Sequence, residues 1–147
     1  MKHPLVAALL VAAFSLASAQ SSPPASAAAG DRFDGDWLVT MSCPTNTEKS
    51  AALGYKRQFT AQVKNGLLRG ETGTEDAPGF LRVGGPIGSD ASALLHARGR
   101  TGNPDFAAAH PPSSSPYGFS VEARFDGAHG SGRRLEQREC SFSFDRK

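Results

Sequence analysis

No stretch of this sequence spaces its cysteines and histidines as a metal site would. There is no Cys-x-x-Cys, and Cys43 and Cys140 are the only cysteines. His96, His110 and His129 fall in separate segments without ligand-like spacing. The His-Glu-x-x-His, Gly-x-Ser-x-Gly and Gly-x-x-x-x-Gly-Lys-Ser/Thr patterns are also missing, which removes zincin, α/β-hydrolase and P-loop chemistry. No catalytic residue, metal or cofactor is therefore expected, and the chain reads as non-enzymatic. Lys and Arg form no block: charge is scattered, and nucleic acid is not an expected partner. No amphipathic helix is legible. Gly127, Gly130, Ser131 and Gly132 lack the following helix that a phosphate loop needs, so they read as a bent or bulged hairpin. Pro111, Pro112 and Pro116 read as a stiff loop.

What is present begins with an export pattern. Lys2 gives a positive start, Leu5 to Leu16 is an almost unbroken apolar run, and Ala17-Ser18-Ala19 is a small-residue cleavage site. Residues 1–19 read as a secretory signal peptide. The run is shorter than the ~20 residues a membrane-spanning helix needs, so no membrane span is expected. Cleavage would leave 128 of the 147 residues and, with Lys2 gone, 15 basic against 14 acidic side chains. That is one near-neutral domain. Residues 20–31 are mostly Ser, Ala and Pro with little to bury and read as a flexible tail; residues 32–147 form the domain. The expected location is periplasmic or secreted, and the expected state is a monomer.

The domain alternates. Trp37, Val39, Met41 and Cys43 recur at period two, with Thr40 and Ser42 between them. A second strand sets Tyr55, Arg57, Phe59, Ala61 and Val63 against Lys56, Gln58, Thr60, Gln62 and Lys64. It ends at Asn65-Gly66, a hairpin signal. Further strands are expected over 67–74, 80–85, 91–99, 117–125, 130–135 and 139–145, with one helical turn over Glu48 to Leu53. The expected core is Trp37, Val39, Met41, Phe59, Val63, Val121, Phe125, Phe142 and Phe144. This is an all-β chain. Eight sequential hairpin strands close as an antiparallel up-and-down β-barrel, which removes sheet edges. A two-sheet β-sandwich is the competing architecture. In an exported chain the two cysteines suggest one disulfide, Cys43–Cys140, bringing the first and last strands together at one rim.

Connection lengths separate the two ends. Asn65-Gly66, 86–90 and 126–129 are short and share one end; 44–54, 75–79, 100–116 and 136–138 share the other. Binding is expected at the long-loop mouth. Arg57, inward by parity beside Tyr55, is the leading candidate, with Tyr117 beneath the loops and Arg98 and Arg100 giving the rim a positive bias. The expected function is binding of a small anionic or aromatic ligand. The alternative is a protein-binding module, such as an enzyme inhibitor, using the same loops and the tail.

The order of motifs resembles a group of small exported bacterial proteins of unknown function. The matching features include Phe33-Asp34-Gly35-Asp36-Trp37, Ala77-Pro78-Gly79, Thr101-Gly102-Asn103-Pro104, Phe125-Asp126-Gly127 and Cys140-Ser141-Phe142-Ser143-Phe144. The likeness runs from about Arg32 to the C-terminus and implies no activity. The Gly-x-Trp start and the meander are also similar to avidin-like and lipocalin-like barrels. The avidin set of ligand-stacking tryptophans is missing, since Trp37 stands alone, so biotin is not implied. Periplasmic protease inhibitors are similar in plan as well.

Overall fold

The structure is a computed structural model, and it describes residues 29–46 and 51–147. The signal peptide and the tail as far as residue 28 lie outside the described residues, as do Glu48 to Ser50.

Eight strands pair in sequence into one closed antiparallel barrel. They are β1 (Gly35–Cys43), β2 (Tyr55–Lys64), β3 (Leu67–Thr72), β4 (Leu81–Pro86), β5 (Ser92–Arg100), β6 (Pro116–Asp126), β7 (His129–Arg134) and β8 (Ser141–Arg146). Closure is made by β1, which pairs with β2 from Gly35↔Val63 to Cys43↔Tyr55 and with β8 from Trp37↔Arg146 to Ser42↔Ser141. The ring has no break at β1, which rules out the sandwich. Side-chain parity explains the barrel: buried and exposed residues alternate along β2, β5 and β6, apolar inside and polar outside. Lys56, Gln62, Arg98, Glu122 and Arg133 stand on the outer wall. That is the reverse of the apolar band with which a membrane barrel faces lipid. No helix among the described residues is long and apolar enough to cross a membrane.

The interior is filled. All nine expected core residues are buried, and Phe33 joins them with no exposure. Phe33 sits before β1 and closes the short-turn end, where its carbonyl accepts a hydrogen bond from Trp37 Nε1 at 2.9 Å. A column of rings then climbs the barrel: Phe33 to Phe125 at 5.6 Å between centroids, Phe125 to Phe144 at 5.1 Å, Phe144 to Phe142 at 6.3 Å, Phe142 to Phe119 at 6.3 Å and Phe119 to Tyr117 at 6.1 Å. Room for the column comes from β7, whose inward residues include Gly130 and Gly132. A Cβ at Gly130 would lie 2.8 Å from the Phe125 ring. The expected bulge is therefore wrong: β7 pairs in unbroken register with both neighbours, and its glycines serve packing.

Local chemistry ends the strands. Gly73, at φ +82°, turns the chain out of β3 before Thr74. At the β2–β3 hairpin, Asn65 and Gly66 both hold positive φ, and their N–H groups donate to the Asp34 carboxylate at 2.9 and 3.2 Å. Ala29 already belongs to the fold, its N–H donating to the Ile87 carbonyl at 2.9 Å. The described part of the expected helical turn is not helical: Ala51 has φ +49° and Ala52 pairs with Asn46 in a β-bridge. The connection between β5 and β6 contains one 3-10 turn, Pro104–Phe106, capped by the Asn103 side chain, whose Oδ1 accepts from the Asp105 N–H at 2.9 Å.

Candidate functional site

At the long-loop end the ring column stops at Tyr117, and a basin of about 780 Å³ opens above it. Three connections build its walls. Their placement begins with the disulfide: Cys43 and Cys140 are bonded, with Cα atoms 4.2 Å apart, and both are buried. The bond ties the exit of β1 to the entry of β8.

Arg138 extends this tie. It lies two residues before Cys140, so it shares the inward parity of Cys140, Phe142 and Phe144, and it is 5% exposed. Its guanidinium donates to the carbonyls of Phe106 at 2.7 Å, Leu53 at 3.3 Å and Pro44. Those carbonyls belong to the β1–β2 and β5–β6 connections, so one cation clasps two loops to a third. The Leu53 N–H, donating to the Asp105 carbonyl at 2.8 Å, adds a direct bond between the first two. The Arg138 guanidinium also lies 5.6 Å from the Tyr55 ring centre. Its Nε is buried with no partner.

Arg134 is the next inward residue of β7 after Gly130 and Gly132. Its guanidinium lies over the Phe119 ring, 4.0 Å from the centroid, and so caps the aromatic column with a cation. Nε donates to the Glu136 carbonyl at 2.8 Å and Nη2 donates to Gln137 Oε1. Burial pulls its pKa down from the ordinary guanidinium value, with Tyr55 and Tyr117 opposing. Arg57 enters from β2 and donates to the Gly79 carbonyl at 2.6 Å, spanning the seam between β2 and the β3–β4 turn. That seam exists because β2 pairs with β3 only from Ala61 to Lys64. Tyr117 lies across Gly99, where a Cβ would come within 2.5 Å of its ring. Burial first, then Tyr55, push the Tyr117 phenol above its ordinary value, so it stays a neutral donor. Tyr55 stands edge-on to Phe106 at 5.9 Å.

The expected residues divide. Tyr55, Arg57, Arg100 and Tyr117 all line the basin. Arg98 does not. Its parity on β5 turns it to the outer wall, where it is 65% exposed and pairs with Glu75 at 3.3 Å. Arg100 stays at the rim but is paired with Asp76 at 2.8 Å. Arg134 and Arg138 were not expected, although extending the inward parity of β7 forward and of β8 backward reaches both. Arg57, Arg134 and Arg138 have no carboxylate partner among the described residues. Nor is there an Asp or Glu in the basin lining. Arg138 is buried and Arg57 and Arg134 are half-buried, so the three guanidiniums differ in how far they are withdrawn from water. Among the described residues no group of His, Cys, Asp and Glu could hold a metal ion. Compared with family models, curated proteins and solved structures, the chain matches none.

Proposed function

We propose that this is an exported, non-enzymatic binding protein that takes a small anionic ligand in the basin at its long-loop mouth. One observation carries the reading: three guanidiniums without carboxylate partners converge on a basin of about 780 Å³. Guanidinium forks match planar anions, and Tyr55 and Tyr117 supply ring surface beside them. The basin's described lining contains no histidine, carboxylate or thiol to act as base or nucleophile. The disulfide fits an oxidising compartment, periplasmic or extracellular. The protein acts as a monomer in this reading, since the closed ring leaves no strand for a second copy at β1 or β8.

The test is native mass spectrometry of protein purified from its own host, followed by calorimetric titration of whatever small molecule co-purifies. An anion is expected, bound more weakly as salt is raised and at least tenfold more weakly by Arg134→Gln, as loss of a charge-assisted hydrogen bond implies. A neutral ligand, or one indifferent to Arg57→Gln and Arg134→Gln, would overturn the reading. A protein-binding module, such as an inhibitor of an envelope enzyme, is the second reading. It is favoured by Leu53 and Phe106, which are exposed and adjacent on the rim. A co-purifying protein displaced by Phe106→Ser would establish it.

A further inference from the structure

The basin is chemically two-sided. Toward β2, β7 and the β7–β8 connection it presents Arg57, Arg134, Gln137 and Arg138. The β5–β6 connection lines the same basin first with Thr101, Gly102 and Asn103 and then with an apolar run, Phe106, Ala107, Ala108, Ala109 and Pro111. That apolar stretch includes an unfavourable backbone turn. Ala109 and His110 both have positive φ, at 62° and 45°, and neither is glycine. The turn is fixed by the His110 N–H donating to the Ala107 carbonyl at 3.2 Å and by contact of the His110 ring with the Pro104 carbonyl at 3.2 Å. Consecutive left-handed residues without glycine are unfavourable, and they persist where the surrounding structure over-determines them. Here they shape the stretch whose three alanines, Ala107 to Ala109, line the basin that Arg57, Arg134 and Arg138 also line. The Arg138 clasp on the Phe106 carbonyl fixes the other end of the same wall.

The cationic side has two kinds of arginine. Arg138 spends both terminal nitrogens on backbone carbonyls of Pro44, Leu53 and Phe106, so it shapes the mouth and has little left to offer a ligand. Arg57 and Arg134 keep donors free. Arg57 is bound through Nη2 alone, and Arg134 through Nε and Nη2. The head-group site therefore lies between strands β2 and β7, above the Tyr117 ring.

Resting on the anion-binding reading, we infer that the ligand class is the amphiphilic anion: one planar acidic head received by Arg57 and Arg134, and an apolar body laid along Phe106 to Pro111. A small polyanion such as citrate or phosphate leaves that wall unused. A neutral hydrocarbon leaves Arg57 and Arg134 unpaired. Only a molecule with both parts satisfies both walls.

The probes are butanoate, octanoate and octanol, with citrate and inorganic phosphate as head-only controls, titrated by calorimetry into the mature protein. Octanoate is expected to bind at least tenfold tighter than butanoate, because each buried methylene is worth roughly two- to fourfold. Octanol is expected to bind at least tenfold more weakly than octanoate. Arg134→Gln should narrow the octanoate–octanol gap and keep the chain-length dependence. Ala108→Gln should do the opposite. Unchanged far-ultraviolet circular dichroism in both variants separates binding from folding. If butanoate or citrate binds as tightly as octanoate and octanol does not bind, the apolar half of the inference is wrong and the anion-binding reading stands. If octanol equals octanoate, both fall. Binding of phosphate alone, or of none of these probes, overturns the amphiphile.

Discussion

At the scale of single residues, the mouth is governed by buried polar groups. Arg138 is the extreme case. Replacing it by Met removes the donors from three carbonyls in two loops, and such losses cost ~1–3 kcal/mol for each buried group left unpaired. We expect Arg138→Met to lose about 3 kcal/mol in urea unfolding. Arg138→Lys should recover little, because one ammonium cannot reach three carbonyls in fork geometry. Tyr117 makes a pH prediction. Its phenol is raised in the folded state by burial, so the neutral form is favoured there. The stability linked to it is complete below the ordinary tyrosine value of ~10 and is lost as pH climbs through the raised one. Alkaline unfolding of Tyr117→Phe should therefore begin at higher pH than that of the unmodified protein. An onset at the same pH would show that Tyr117 does not titrate in that range.

At the scale of elements, packing decides what a sequence pattern means. Gly130 in β7 is the test. Gly130→Ala places a methyl 2.8 Å from the Phe125 ring, inside the aromatic column. Overpacking of this kind costs ~1–3 kcal/mol, and thermal unfolding should show it. No loss would mean that the column can shift without penalty. The eight strands and their inward faces were legible because alternation at period two is a local signal, and the barrel follows once the two cysteines must meet. What β7 glycines are for was not legible, since the rings that fill their space come from β6 and β8. The site was half legible for a similar reason. Arg57 lies inside a clean alternating strand. Arg134 follows two glycines, which hide the parity, and Arg138 precedes the ladder of β8, so its inward direction shows only with Cys140 as reference. Arg98 misled because proximity to the rim in sequence does not fix the face of the strand.

At the scale of the molecule, the two ends are held by different means. The closed end is held by hydrophobic packing, with the rings of Phe33 and Trp37 both set against Phe125. The mouth is held by the disulfide and by one buried cation. Replacing both cysteines by serine should cost up to ~4–5 kcal/mol by loop-closure entropy, since 97 residues separate them. The damage should also be uneven. Hydrogen exchange is expected to quicken at the amides of Leu53, Thr101 and Ser115 while those of Asn65 and Gly66, held by Asp34, stay protected. Uniform loss of protection would mean that the barrel opens as one unit.

Pairing of the first strand with the last also orders events in time. A chain made from its N-terminus completes β1 early, yet one side of β1 waits for β8, the last strand of the barrel to be produced. Until then the growing sheet has two open flanks, and only β2 through β7 can shield its rings. Contacts this distant form slowly, so folding is expected on the scale of milliseconds to seconds rather than microseconds. β8 thus acts as a latch, and just beyond it the Lys147 N–H reaches the Asp36 carbonyl at 2.9 Å, adding one more bond between β8 and β1. A nascent chain stalled before residue 141 should hold its strands without finishing, and should be the species that a holding chaperone recognises.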